Sequence, residues 1–179
     1  MSREFTYIKR DGIERKLVGK IVSRLEDAGF KIARMKKGTI SDKLALSLYE
    51  DSEEQLRGMG NKTLESTKAK GGDKLVKEIF NTLDPIEIGK QLNSWNRAYA
   101  TSADVIAMVL EGDDAPARVR KLIGKTDPSL AEKGTIRGDF ANDSIYQGNT
   151  ERRACKNLVH ASDPARAETE IKLFEDNFF

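Results

Sequence analysis

Apolar and polar positions along the chain fall into blocks with two different periods. "EFTYIK" (4–9) alternates aromatic and β-branched residues with polar ones and predicts a strand. "DGIERKL" then turns toward a helix. Leu17, Val18, Ile21, Val22 and Leu25 recur at helical spacing until Gly29 closes the stripe. "FKIARMK" (30–36) predicts a second strand, and Ser41 stands as the N-cap of a short helix that ends at Tyr49. "VIAMVL" (105–110) reads as a third strand buried on both faces, with a polar turn at Glu111–Asp114 behind it. "APARVRKLIG" (115–124) is a helix with Pro116 in its first turn and Gly124 at its end. "NLVHAS" (157–162) is a fourth strand, and a last helix opens with Asp163 as N-cap and Pro164 as its first residue.

The order β-α-β-α-β-α-β-α contains a split β-α-β unit. It predicts an α+β domain over 1–179, a ferredoxin-like four-stranded antiparallel sheet with helices packed on one face. Residues 50–98 add a helical insertion. Leu75, Val76, Ile79, Phe80 and Leu83 share one helical face, "DP" (84–85) breaks it, and "IEIGKQLNSW" starts another helix. Between them "NKTLESTKAKGGDK" is polar and of low complexity, and reads as a mobile stretch.

Charge and composition narrow the function classes. Thirty-one basic residues against 29 acidic ones give a net charge of +2, which argues against wrapping nucleic acid but allows a local basic site for a phosphorylated small molecule. The single cysteine, Cys155, has no internal partner and points to a reducing compartment. The opening "MSREFTYIKRDG" has no apolar signal core, and the longest apolar run is far too short to span a bilayer, so a cytoplasmic protein is expected.

One residue draws the chemistry together. His160 is the only histidine, and it sits at the end of a strand that leads straight into a helix start, where backbone N–H groups favour an anion. On that helix Ala167, Glu170, Ile171 and Phe174 form an inward stripe, so a carboxylate faces the core and needs a partner. A carboxylate on one imidazole nitrogen fixes the tautomer and frees the other lone pair, which makes a nucleophile. The plainer alternative is a surface or hydrogen-bonded core histidine. Ser162 adds a hydroxyl beside it, and Ser162 and Asp163 serve equally well as helix caps. "GTIRGDF" (134–140) sets Arg137 between two glycines, and Lys9, Arg120 and Thr126 supply further donors for phosphate oxygens. No Walker, Rossmann, zinc or G-x-S-x-G pattern is present.

Together these motifs resemble the nucleoside diphosphate kinase family, over about residues 4–49 and 99–174. "YIKRDGIERKLVGKIVSRLEDAGFKI" resembles its opening strand and helix. "VIAMVLEG", "KLIGKTDPSLAEKGTIRGDF" and "NLVHASD" resemble its later motifs. The resemblance implies ping-pong phosphotransfer through a phosphohistidine on His160, with nucleoside di- and triphosphates as substrates and Mg2+ as cofactor. Lys9, Tyr49, Arg120, Thr126, Arg137 and Asn157 would bind the nucleotide. Glu170 would orient His160, with Ser162 close by, and Asp163 would reach the metal indirectly. It also implies a homo-oligomer, most often a hexamer, otherwise a tetramer or dimer, with no membrane and no stable nucleic-acid partner.

Departures from the pattern are specific. Arg10 stands where the family has Pro, Ala103–Asp104 replace Gly-Pro, Ala161 replaces Gly and Pro164 replaces Ser. The interval from His160 to Glu170 is one residue short, which leaves Glu168 as an alternative. Counting back from Tyr99 puts Leu92 where the family clamps the base with an aromatic ring, with Trp95 one turn later. A non-catalytic nucleotide- or RNA-binding module of the same fold is the competing class. An RNA module calls for paired aromatics on the central strands, and "YIKRDG" and "VIAMVLEG" offer one between them.

Overall fold

The computed structural model describes residues 1–179. Its frame is an antiparallel sheet of β1 (Ser2–Ile8), β2 (Lys31–Thr39), β3 (Asp104–Gly112) and β4 (Val159–Ala161), in the spatial order β2-β3-β1-β4. Phe5 pairs with Val109 across β1 and β3, and Tyr7 pairs with His160 across β1 and β4. That order is the ferredoxin-like arrangement expected from the split β-α-β unit.

The helices cover both faces of the sheet, which corrects the one-face expectation. On one face Ile8, Met108 and Leu110 pack against Ile21 and Leu25 of α2 (Val18–Asp27) and against Val119 and Ile123 of α6 (Ala115–Ile123). On the other, Phe5, Tyr7, Ala107 and Val109 pack against Leu44 and Leu48 of α3 (Asp42–Leu48) and against Ile171 and Phe174 of α9 (Ala167–Asn177). The physical reason lies in the central strands: β1 is buried without a break from Glu4 to Ile8, so neither of its faces meets water. β2 is the contrasting edge strand, exposed along most of its length and rich in lysine and arginine.

The insertion is ordered helix. α4 (Glu53–Phe80) breaks its helical geometry only at Gly71 and Gly72, and α5 (Pro85–Thr101) runs back along it. The stretch read as mobile is therefore helical, with Thr63 and Thr67 buried. Glycine makes the approach feasible. A Cβ on Gly60 would lie 1.8 Å from the carbonyl oxygen of Pro85, and one on Gly89 would lie 2.4 Å from that of Leu56. Val76, Ile79, Phe80, Ile88 and Leu92 form a separate small core between the two helices. Short helices α1 (Arg10–Glu14), α7 (Ile136–Phe140) and α8 (Ile145–Thr150) complete the chain. Asp163 and Pro164 open a 3-10 turn, Pro164–Arg166, that leads into α9, rather than α9 itself. No helix is long and apolar enough to cross a membrane.

Candidate active site

β4 is only three residues long, yet it fixes His160 from several directions. Cross-strand pairing lays the imidazole on Tyr7, with ring centroids 4.9 Å apart and planes 15° from parallel. The inward stripe of α9 brings Glu170 to it, with Nε2 of His160 2.8 Å from Oε2 of Glu170. The same oxygen accepts from Oγ of Ser162 at 2.7 Å. Glu168, the alternative partner, instead meets Arg3 at the surface. Burial by itself would raise the pKa of Glu170. Hydrogen bonds from His160 and Ser162 and the charge of Arg166 outweigh it and hold the carboxyl below its ordinary range. An ionised Glu170 accepts a proton-bearing Nε2, so the lone pair of His160 is on Nδ1.

Facing this pair is a group of cations, of which Lys9 and Arg137 have no carboxylate within salt-bridge distance. Nζ of Lys9 donates to Oδ1 of Asn157 at 2.8 Å, and Nδ2 of Asn157 donates to the carbonyl of Thr126 at 2.8 Å. Arg137 is buried and spends three N–H groups on backbone carbonyls: Asn157 at 3.1 Å, Gly124 at 2.9 Å and Val159 at 2.7 Å. Two of its five donors remain for an anion. Arg120 donates to the carbonyl of Ser162 at 3.2 Å. Burial, then the charge of Arg137, lowers Lys9 to about 8, and burial lowers Arg137 to about 10. Cations pressed together at that expense form a site that a phosphate would relieve.

Tyr49 closes the site above the imidazole, edge-on with ring centroids 6.4 Å apart, and its hydroxyl shares a 2.8 Å hydrogen bond with Tyr7. Burial pushes the Tyr49 phenol up to about 12. Arg97 of α5 holds the Tyr49 carbonyl, and with Asn93 it binds Asp51, so the insertion braces this wall.

Two residues before His160, Leu158 has φ of 69°, in the left-handed region that a leucine rarely enters. Its N–H donates to Oδ2 of Asp11 at 3.0 Å, and its carbonyl accepts from N–H of Lys9 at 2.8 Å. Arg137 spans it by binding the carbonyls on either side. Asp11 in turn accepts from the hydroxyl of Tyr99 at 2.9 Å. Strain of this kind persists only where its surroundings impose it.

The fold thus gathers His160, Glu170, Ser162, Lys9, Tyr49, Asn157, Arg137 and Arg120. Thr126 joins through its backbone, with its side chain exposed. Asp163 is exposed; its Oδ1 caps the turn at Ala165, and its Oδ2 lies 3.8 Å from Arg120. Leu92 does not join them. It is 9 % exposed and packs within the insertion core. Packing against Val76, Ile79 and Phe80 of α4 draws Leu92 inward. Trp95 and Tyr99, on the same helix, line a cleft of about 240 Å³ with Arg10, Arg152 and Ala154. Sequence reasoning did not reach Asp11, Tyr7 and Tyr99. The one signal for Tyr7 was its alternation with Phe5 along β1.

A family model described as nucleoside diphosphate kinase matches residues 2–57 and 77–178; the gap falls inside α4. The nucleoside diphosphate kinase of Pyrobaculum aerophilum is 42% identical over 168 residues, covering 93% of this chain and 91% of its own. A crystal structure of an NDP kinase from Pyrobaculum aerophilum superposes with a TM-score of 0.91 at 38% identity, over 98% of this chain and 97% of that one. A Borrelia burgdorferi nucleoside-diphosphate kinase, a transition-state mimic with bound vanadate and ADP, gives a TM-score of 0.73 at 25% identity over 99% and 90% of the two chains.

Proposed function

Because the chain belongs to the nucleoside diphosphate kinase family and is a nucleoside-diphosphate phosphotransferase, we propose that its phosphoryl transfer runs through Nδ1 of His160. In the first half-reaction Nδ1 forms a P–N bond to the γ-phosphorus of a nucleoside triphosphate, ATP among them. The bond to the bridging oxygen breaks, and the diphosphate leaves with that electron pair. In the second, the terminal phosphate oxygen of another nucleoside diphosphate attacks phosphohistidine and restores the imidazole.

Each residue has a part in this scheme. Glu170 holds the proton on Nε2 and stabilises the positive charge the ring gains, and Ser162 keeps the carboxylate in place. Arg120, Arg137 and Lys9 neutralise charge on the transferring and leaving oxygens, the largest contribution such transfers receive. Lys9 and Asn157 reach the sugar, Thr126 meets phosphate, and Tyr49 lies against the transferred group. The base takes the cleft between Trp95 and Ala154. The observation that carries the reading is the 2.8 Å contact between Nε2 of His160 and Glu170, which leaves Nδ1 as the free nucleophile.

Mg2+ suits the site only as a passenger on the substrate. No group of three His, Cys, Asp or Glu side chains is placed to cage a metal, and the lining is cationic. The ion would offset charge on the phosphate oxygens, with Asp163 reaching it through water. The cytoplasm is the compartment that suits the unpaired Cys155. Membership of the family supports assembly into a homo-oligomer, a hexamer foremost.

Mixing the protein with ATP and no acceptor tests the scheme. It should yield a phosphoryl adduct that is labile in acid and stable in base, on His160, and none on His160→Ala. An adduct that survives in the alanine variant would place the carrier elsewhere.

A further inference from the structure

β1 carries a second carboxyl behind the site that the scheme above does not use. Glu4 is fully buried. Its Oε1 accepts the N–H of Ser162 at 3.0 Å, and its Oε2 is the one buried side-chain polar atom in the chain without a hydrogen-bond partner. Ser162 is therefore held at three points: its N–H by Glu4, its carbonyl by Arg120 and its Oγ by Glu170. Alternation along β1 turns Glu4 away from Phe5, toward the face that α6 covers.

The charges that reach Glu4 are those of Glu170 from α9 and Arg120 from α6; across the sheet its partner on β3 is the apolar Leu110. Burial, reinforced by the charge of Glu170, raises Glu4 to about 8, while the Ser162 N–H and Arg120 pull the other way. Glu170 is held low by its donors. Two carboxyls flank one serine, and their surroundings push them apart, one neutral and one ionised.

We propose that Glu4 is a positioning residue for phosphoryl transfer that works while it holds its proton. Neutral, it anchors Ser162 and leaves Arg120 directed at nucleotide phosphate. Ionised, it competes for Arg120 and adds negative charge behind the phosphohistidine. The proposal rests on His160 as the carrier, so labelling at His160 is measured in the same samples.

The test is the ratio of kcat/KM for a nucleoside diphosphate, Glu4→Gln over wild type, from about pH 6 to about pH 9.5. Lys9 titrates in both proteins and cancels in the ratio. The ratio should climb severalfold through about pH 8, mainly through a KM that rises more steeply in the wild type than in the variant. Glu4→Ala, which also removes the Ser162 anchor, should lie below Glu4→Gln at every pH. A flat ratio with His160 labelled overturns the role of Glu4 alone; no label on His160 overturns the carrier as well. If Glu4→Gln does not fold, the carboxyl carbon of Glu4 is titrated by NMR in the wild type. ADP, by engaging Arg120, should raise its pKa, and an unchanged value overturns the proposal.

Discussion

At the scale of single residues, the site works by giving similar groups unlike neighbours. Both nitrogens of His160 belong to one ring, but only Nε2 has a carboxylate against it. Lys9 is the residue whose environment has the clearest outward consequence. Burial and Arg137 lower it to about 8, against 10.5 for an ordinary lysine, so its charge is present below that pH and lost above it. Activity should fall as pH rises through about 8, with KM for the diphosphate rising, and Lys9→Arg should carry its own activity further into alkali. Stability moves in the opposite sense. Between about 8 and 10.5 the unfolded chain binds more protons at Lys9 than the folded one, so this residue's contribution to stability increases with pH over that window. Paired kinetic and melting profiles of the two proteins check both statements. The placement of His160, Glu170 and Lys9 was legible in the sequence because each depends on local geometry: a strand end, a helical stripe, a strand-to-helix turn. That of Asp11 and Tyr7 was not. Asp11 meets Leu158 across 147 positions of chain, and Tyr7 meets His160 only through sheet register.

Among the elements, legibility follows how each one is stabilised. α2 announces itself because its apolar stripe faces a single core, and Ser41 announces α3 by capping it through the N–H of Leu44. α4 does not. Its apolar residues are sparse in the first two-thirds, and an isolated helix of that composition would be marginal in water. It is helical because α5 packs on it, which no window of sequence contains. Close backbone approach at Gly60 is the point on which this packing turns. Gly60→Ala would drive a Cβ into the carbonyl of Pro85, and overpacking of this sort costs about 1–3 kcal/mol. The variant should melt lower than the wild type and expose α4 to limited proteolysis between Gly60 and Gly72, while the chemistry at His160 persists at low temperature. Since α5 also carries Arg97, which holds the Tyr49 carbonyl, KM should rise in parallel with the loss of packing.

Taken as a whole, the molecule folds at the expense of a site that its own side chains do not satisfy. Lys9 and Arg137 have both been pushed toward neutrality by burial and by nearby cations, and neither has a carboxylate of its own against its charge. Leu158 is held in an unfavourable backbone region by Asp11, Lys9 and Arg137. A bound phosphate chain would repay this, since it supplies the missing anion and acts on the folded state alone. A ligand at a hundredfold excess over its Kd stabilises by about 2.7 kcal/mol, or about 5–10 °C in Tm for a chain of this size. ADP and ATP should therefore raise the melting temperature by amounts of that order. Adenosine at the same concentration should raise it far less, because the cleft lined by Trp95 and Tyr99 offers contact area without relief of charge. The gain from ADP should shrink as ionic strength rises and as pH passes about 8, where Lys9 gives up its proton. Equal shifts from adenosine and ADP would mean that the base cleft, and not the cation cluster, governs binding.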